Sequence, residues 1–147
     1  MSHPVTVTED FETVAETSIV AGQSIETPVM KIEFLKGAGV VEIRKKNPPD
    51  MPGKIESNVL QLNWVPRSDA QEIKISPNKA CSTISFWFDK WTGISDFYIF
   101  DGDKLLAEIS PESGDTNNFL YTNKKITHIK FDSVNIGLNM DNFKFTQ

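Results

Sequence analysis

The sequence is poor in cysteine, poor in histidine and without a long apolar run, and each shortage closes off a class of protein. Cys81 is the single cysteine in 147 residues, so no internal disulfide can form and the fold must be stable without one. Its position in an alternating stretch reads as a half-buried, inert strand thiol. The two histidines, His3 and His128, are too few for a histidine-rich metal site and offer no Ser-His-Asp arrangement. His128 reads as a cross-strand packing residue. No apolar segment approaches the roughly 20 residues of a membrane span. The opening MSHPVTVTEDFE lacks a charged start followed by an apolar run, so no Sec signal peptide is expected. Lys and Arg number 15 against 20 Asp and Glu, a formal charge of -5, so general affinity for nucleic acid or anionic lipid is not expected. Lys36-Gly37-Ala38-Gly39 lacks the spacing and the following helix of a phosphate-binding loop.

What the chain does have is aromatic and β-patterned. Ten Phe, three Trp and 39% hydrophobic residues suffice for one core, and the length is that of one domain spanning 1–147. Large apolar residues are densest between Ala80 and Asp101. There Ile84, Phe86 and Phe88 alternate with Thr83, Ser85 and Trp87, the period-2 signature of a strand facing two environments. Phe97 to Phe100 reads as a second strand, apolar on both faces and closed by Asp101-Gly102, a type I′ turn signal. These two strands are expected to form the central hairpin.

Other strands are expected at Val5–Val14, as one strand or a pair of short ones, and at Val29–Leu35, Val40–Arg44, Val59–Val65, Ala70–Ser76, Lys104–Ile109, Phe119–Thr122, Lys125–Asp132 and Gly137–Phe145. Val29–Leu35 and Val40–Arg44 read as a hairpin about the glycine turn. Ala15–Thr27 reads as a surface connection. Asn47 to Gly53, with three prolines, can be neither helix nor central strand. Trp64 shares a face with Leu60 and Leu62 and reads as core. Ile126 is out of step with Ile129 and Phe131, which points to a bulge, and the parity of the last strand shifts at Asp141-Asn142. No segment sustains a 3.6-residue period over helical length. About ten strands at regular spacing predict an all-β fold, an antiparallel β-sandwich of the jelly-roll kind.

In a jelly roll the first and last strands commonly lie side by side, which would gather Glu12, Asp10 and Asp141. Clustered carboxylates repel unless a cation neutralises them, and Ca²⁺ takes six to eight oxygens at about 2.3–2.6 Å. A solvated acidic strand start, with an Asp supporting a bulge, is the alternative. An early Asp10-Phe11-Glu12 and a late Asp141-Asn142-Phe143 bracketing the strands resemble bacterial jelly-roll modules of the carbohydrate-binding and galactose-binding-like type. They are also similar to β-sandwich repeats of large secreted or surface proteins. That resemblance implies a structural Ca²⁺ on Glu12 and Asp141, with Asp10 as a third ligand.

Sugar rings stack their C–H surfaces on exposed aromatic faces. Trp87, opposite in parity to Phe86 and Phe88, and Trp91, at the expected hairpin tip, are the candidates, with Tyr98 and Tyr121 flanking them. Burial of each against a loop or a sheet end is the competing reading. The leading expectation is therefore a non-catalytic carbohydrate-binding or adhesion module with a glycan partner. It would be secreted or at the cell surface by a non-Sec route, or part of a larger secreted protein, with a cytoplasmic location still open. The alternative is a structural repeat, or a small toxin-associated protein that acts as a homo-oligomer through the Phe97–Phe100 strand.

Overall fold

Short alternating runs bounded by glycine, proline and asparagine favour strands, and strands are what the chain forms. The computed structural model describes residues 4–45, 58–62, 71–90, 94–111, 114–134 and 138–147. Thirteen strands lie among them: β1 (Thr6–Glu9), β2 (Thr17–Ile19), β3 (Ser24–Glu26), β4 (Met30–Gly37), β5 (Val41–Lys45), β6 (Asn58–Leu62), β7 (Gln71–Pro77), β8 (Cys81–Lys90), β9 (Ile94–Asp101), β10 (Lys104–Ile109), β11 (Gly114–Ile126), β12 (His128–Val134) and β13 (Leu138–Thr146). A seven-stranded sheet has the order β11-β8-β13-β6-β5-β2, with β1 also paired to β13; a six-stranded sheet has the order β10-β9-β12-β7-β4-β3. Every pairing is antiparallel. The chain is an all-β, antiparallel β-sandwich that repeatedly passes from one sheet to the other, as a jelly roll does. The strands beyond the expected ten include β2 and β3, inside the stretch read as a connection.

Three expectations about neighbours are corrected. The strands around Phe86 and Phe97 are no hairpin: β8 pairs with β11 and β13, and β9 with β10 and β12. They face each other across the core instead, with Phe86 and Phe97 ring centroids 5.6 Å apart. Likewise β4 and β5 belong to different sheets, Gly37 and Gly39 at φ 129° and 75° carrying the chain across. The parity break after Ile126 is a crossing too, since β11 ends there in one sheet and β12 starts in the other. The Asp101-Gly102 turn does close a true hairpin, β9 to β10, as the short connection 27–29 does between β3 and β4. Of the central residues of the β9–β10 turn only Gly102 has positive φ, 58°, the type II′ rather than the type I′ pattern.

The core is aromatic and spans both sheets. Phe86 on β8 lies 4.8 Å from Phe143, 4.9 Å from Phe119, 5.6 Å from Phe97 and 5.8 Å from Phe131 between ring centroids. Nine of the ten phenylalanines are buried; the tenth, Phe100, is not.

The two ends of the described chain meet as expected. β1 pairs with the second half of β13, Glu9 opposite Phe143 and Thr6 opposite Thr146, while β6 pairs with the first half. Between the two halves the register against β8 shifts, from Asp141 to Lys144, and Asn142 adopts a left-handed φ of 51°.

Candidate functional site

The acidic residues at the chain ends act first on their own turn. Asp10 Oδ1 accepts from the Glu12 amide at 3.1 Å, and Glu12 Oε2 accepts from the Asn58 amide at 2.8 Å. Asn58 Nδ2 in turn donates to the carbonyls of Phe11 (2.9 Å) and Val14 (3.3 Å). This lattice holds Phe11 at a positive φ of 61° with its ring buried edge-on to Phe143. Asp141 is buried, its Oδ1 accepting from the Asn142 amide at 2.7 Å. Among the described residues no three acidic, histidine or cysteine side chains form a group able to hold a metal ion, so Glu12, Asp10 and Asp141 do not gather as the expected trio. The sequence reading passed over Glu9. It is 4% exposed, its Oε2 accepts from the Phe11 amide at 3.0 Å, and its Oε1 has no hydrogen-bond partner. Its shared parity with Val7, which packs on the core, was the signal available.

The aromatic residues expected to share a ligand site are dispersed. Trp87 lies on the outer face of the seven-stranded sheet, opposite Asp141 on β13 and Asn118 on β11, and is half-buried. Tyr98 is on the outer face of the other sheet. Tyr121 has the inward parity of Phe119 and packs against the core, its hydroxyl accepting from Asn123 Nδ2 at 3.0 Å. Trp91, like Trp64 and the proline-rich stretch 47–53, lies outside the described residues.

The two outer faces differ in kind. On the seven-stranded sheet the outward Val59, Gln61, Asn139 and Asp141, where β6 and β13 adjoin, are buried, whereas Lys144 farther along β13 is exposed. On the six-stranded sheet Lys31, Glu33, Glu72, Lys74, Asp96, Tyr98, Phe100, His128, Lys130 and Asp132 are all half-exposed. That face is a platform of partly exposed side chains. Its rows follow the strand register: Phe100 opposite His128, Tyr98 between Glu108 and Lys130, and Asp96 opposite Asp132.

Aromatic and charged groups interleave on this platform. Phe100, the unburied phenylalanine, stacks on His128 with centroids 4.8 Å apart and planes 9° from parallel, and Lys130 Nζ lies 5.5 Å from its ring centre. Burial, then Lys74 and Lys130, push the His128 imidazole down from 6.5 to about 4. Lys130 pairs with Glu72 at 3.7 Å, and Glu72 with Lys36 at 3.3 Å. Asp96 accepts from Ser110 Oγ at 2.6 Å and from the Tyr98 hydroxyl at 3.4 Å. Asp132 titrates above the usual carboxylate range, chiefly through burial and then through Glu72 and Asp96. Lys74 and Lys130 stand directly opposite each other. Like charges in that position are destabilising within a sheet. The sequence signal for this platform was weak, because charged alternation on an outer strand face is what any solvated sheet shows.

No family model matches the chain, and no curated protein does. Solved structures do match. One is a mutant of the family 29 carbohydrate-binding module CBM29-2 in complex with mannohexaose, with TM-score 0.52 and 10% identity over 90% of this chain and 91% of that one. Another mutant of the same module matches with TM-score 0.51 and 11% identity, over 90% and 91%. At that identity the likeness is one of fold: the chain shares the β-sandwich architecture of these modules.

Proposed function

We propose that this protein is a non-catalytic carbohydrate-binding module whose glycan lies across the outer face of the six-stranded sheet. The observation that carries the reading is Phe100. Nine phenylalanines are spent on the core, yet the tenth stays on the partly exposed platform beside Tyr98, with Lys130, Lys74, Asp96 and Asp132 at hand to bond hydroxyls. An apolar ring bordered by donors and acceptors suits a sugar, which offers C–H faces and hydroxyl edges together. A fold shared with a module solved on mannohexaose supports the same class of ligand. The test is a glycan array that includes mannohexaose, followed by calorimetric titration of the best ligand. Tyr98→Ala and Phe100→Ser, each shown to be folded, are expected to weaken binding at least about tenfold, a loss of about 1.4 kcal/mol. Full affinity in both variants, or no glycan bound at all, would remove the platform reading.

A structural Ca²⁺ beside the paired ends belongs to the same proposal, in a form that differs from the expected trio. Its support is Glu9, with a buried oxygen lacking a partner, and Asp141, buried on the strand that pairs with β1. Two carboxylates fall short of calcium's six to eight oxygens, so backbone carbonyls at the bulge would have to complete the shell. Thermal unfolding with Ca²⁺ and with EDTA decides it, since an unchanged midpoint leaves the ends held by hydrogen bonds alone.

A further inference from the structure

One turn of the chain carries its own reactive pair. Asp101-Gly102 is the only Asp-Gly step in the sequence, and there is no Asn-Gly. A carboxyl carbon stands one residue from a backbone nitrogen that glycine leaves unshielded, and the two can close to a five-membered imide. Packing does not prevent it: Gly102 is exposed, and a Cβ added to it would meet nothing within 4 Å. What acts on the pair is Thr127, the single residue between β11 and β12. Thr127 Oγ1 accepts from the Gly102 amide at 2.8 Å. The Thr127 amide donates to the Phe100 carbonyl at 2.9 Å, and the Thr127 hydroxyl lies 3.2 Å from the same oxygen. That hydroxyl has one proton, which goes to Phe100 O or to His128 Nδ1 at 3.0 Å, and in either case an oxygen lone pair remains for Gly102. Thr127 therefore grips the chain on both sides of Asp101, which is itself held in the ladder opposite Lys104.

We propose that Asp101-Gly102 is a self-modification site, an imide-forming step whose rate is set by Thr127. In the reaction Gly102 N bonds to Asp101 Cγ, the Cγ–OH bond breaks, and the hydroxyl leaves with the amide proton as water. A second water then opens the imide. Cleavage of the N–Cγ bond restores Asp101; cleavage between the nitrogen and the main-chain carbonyl leaves isoaspartate, with Cβ and Cγ in the backbone. Thr127 opposes ring closure in two ways. Its oxygen engages the amide proton that must leave. Its grip also keeps Asp101 in extended geometry, whereas closure needs Cβ and the Gly102 nitrogen eclipsed about the Cα–C bond. Lys125 Nζ reaches Asp101 Oδ1 as well, at 3.9 Å, but both groups are open to solvent and such pairs hold weakly. Isoaspartate would lengthen by one backbone atom the strand end where Phe100 pairs with Leu105, so the modification would act on the platform. None of this rests on the glycan reading, because the chemistry needs only this chain and water.

The test ages the full chain, folded and in urea, at mildly acidic pH and body temperature, and maps its peptides by mass spectrometry. The imide is lighter by one water, and isoaspartate keeps the mass of aspartate but separates from it in chromatography. Isoaspartate at position 101 is expected to form about tenfold faster or more in urea, because the folded turn must first open. Thr127→Val keeps the shape of the side chain and loses the hydroxyl; it is expected to speed the folded reaction about fivefold, the worth of one hydrogen bond. Thr127→Ser restores the oxygen and is expected to return the rate close to that of the parent, which tells the loss of this contact from a general loss of folding. In the unaltered chain the Gly102 amide is expected to exchange with deuterium slowly despite its exposure. Three results would overturn the site: no isoaspartate at 101 in either state, equal rates folded and in urea, or a parental rate in folded Thr127→Val. Unprotected exchange at Gly102 would equally remove Thr127 from its role.

Discussion

At the scale of single residues, the phenylalanines divide by what they touch. Phe86 meets rings from both sheets, so its removal leaves a cavity that strands held by their own hydrogen bonds cannot close. Phe86→Ala is expected to cost about 3–5 kcal/mol in urea denaturation. Phe100→Ala, which bares a surface, is expected to cost about 1 kcal/mol or less. Equal losses at the two positions would contradict the assignment of Phe100 to a partly exposed platform. His128 makes a pH prediction. Its folded value of about 4 lies below the ordinary 6.5, so the unfolded chain takes up the proton first. The stability due to the neutral ring is therefore fully present above pH 6.5 and is lost as the pH falls toward about 4. Asp132, shifted upward, works in the opposite sense, so the comparison must be with His128→Gln. That variant is expected to show a shallower loss of stability between pH 6.5 and 4; an identical slope would place the imidazole in water.

At the scale of elements, β13 carries the most structure per residue. It pairs along β8, and on its other side with β6 and then with β1, and the hand-over falls where Asn142 turns left-handed. A β-branched residue pays roughly 1–2 kcal/mol for that conformation. Asn142→Val should lower the unfolding midpoint accordingly, whereas Asn142→Gly should stay close to the parent in backbone terms. Equal effects would mean that side-chain contacts, not φ, dominate there. The parity shift at Asp141-Asn142 was legible because apolar residues change faces within a few positions. The shift at Ile126 looked the same and meant something else. A change of parity marks the end of one regular run, and the run itself does not say whether the strand continues bulged or leaves for the opposite sheet. Hairpins inferred from adjacency failed for the same reason: Phe86 and Phe97 bury against each other whether their strands lie side by side or face to face.

At the scale of the whole molecule, one hydrophobic cluster joins strands of both sheets. A single cooperative transition is expected from such a core. Cys81 offers a probe, since it is 3% exposed and burial pushes its thiol up to about 11. Its labelling by a thiol reagent should be blocked in the native protein and should appear across the same urea range as the loss of tryptophan fluorescence. Labelling well before that midpoint would show that β8 and β11 open independently.

Composition and period-2 alternation were enough, without coordinates, to specify strands, a sandwich and an aromatic core, because inward-facing residues must be apolar wherever the strand ends up. They were also enough to place the first and last strands together. Which side chains stay exposed was decided by tertiary packing. Trp87, Tyr98 and Tyr121 look alike in an alternating run, yet one lies on the outer face of the seven-stranded sheet, one on the partly exposed platform and one against the core. Gln61 and Asn139, ordinary outward polar residues by pattern, become opposed buried amides only when strands far apart in the chain are brought into register. Local sequence sets which side of a strand is greasy; long-range pairing sets what that side, and its reverse, will meet.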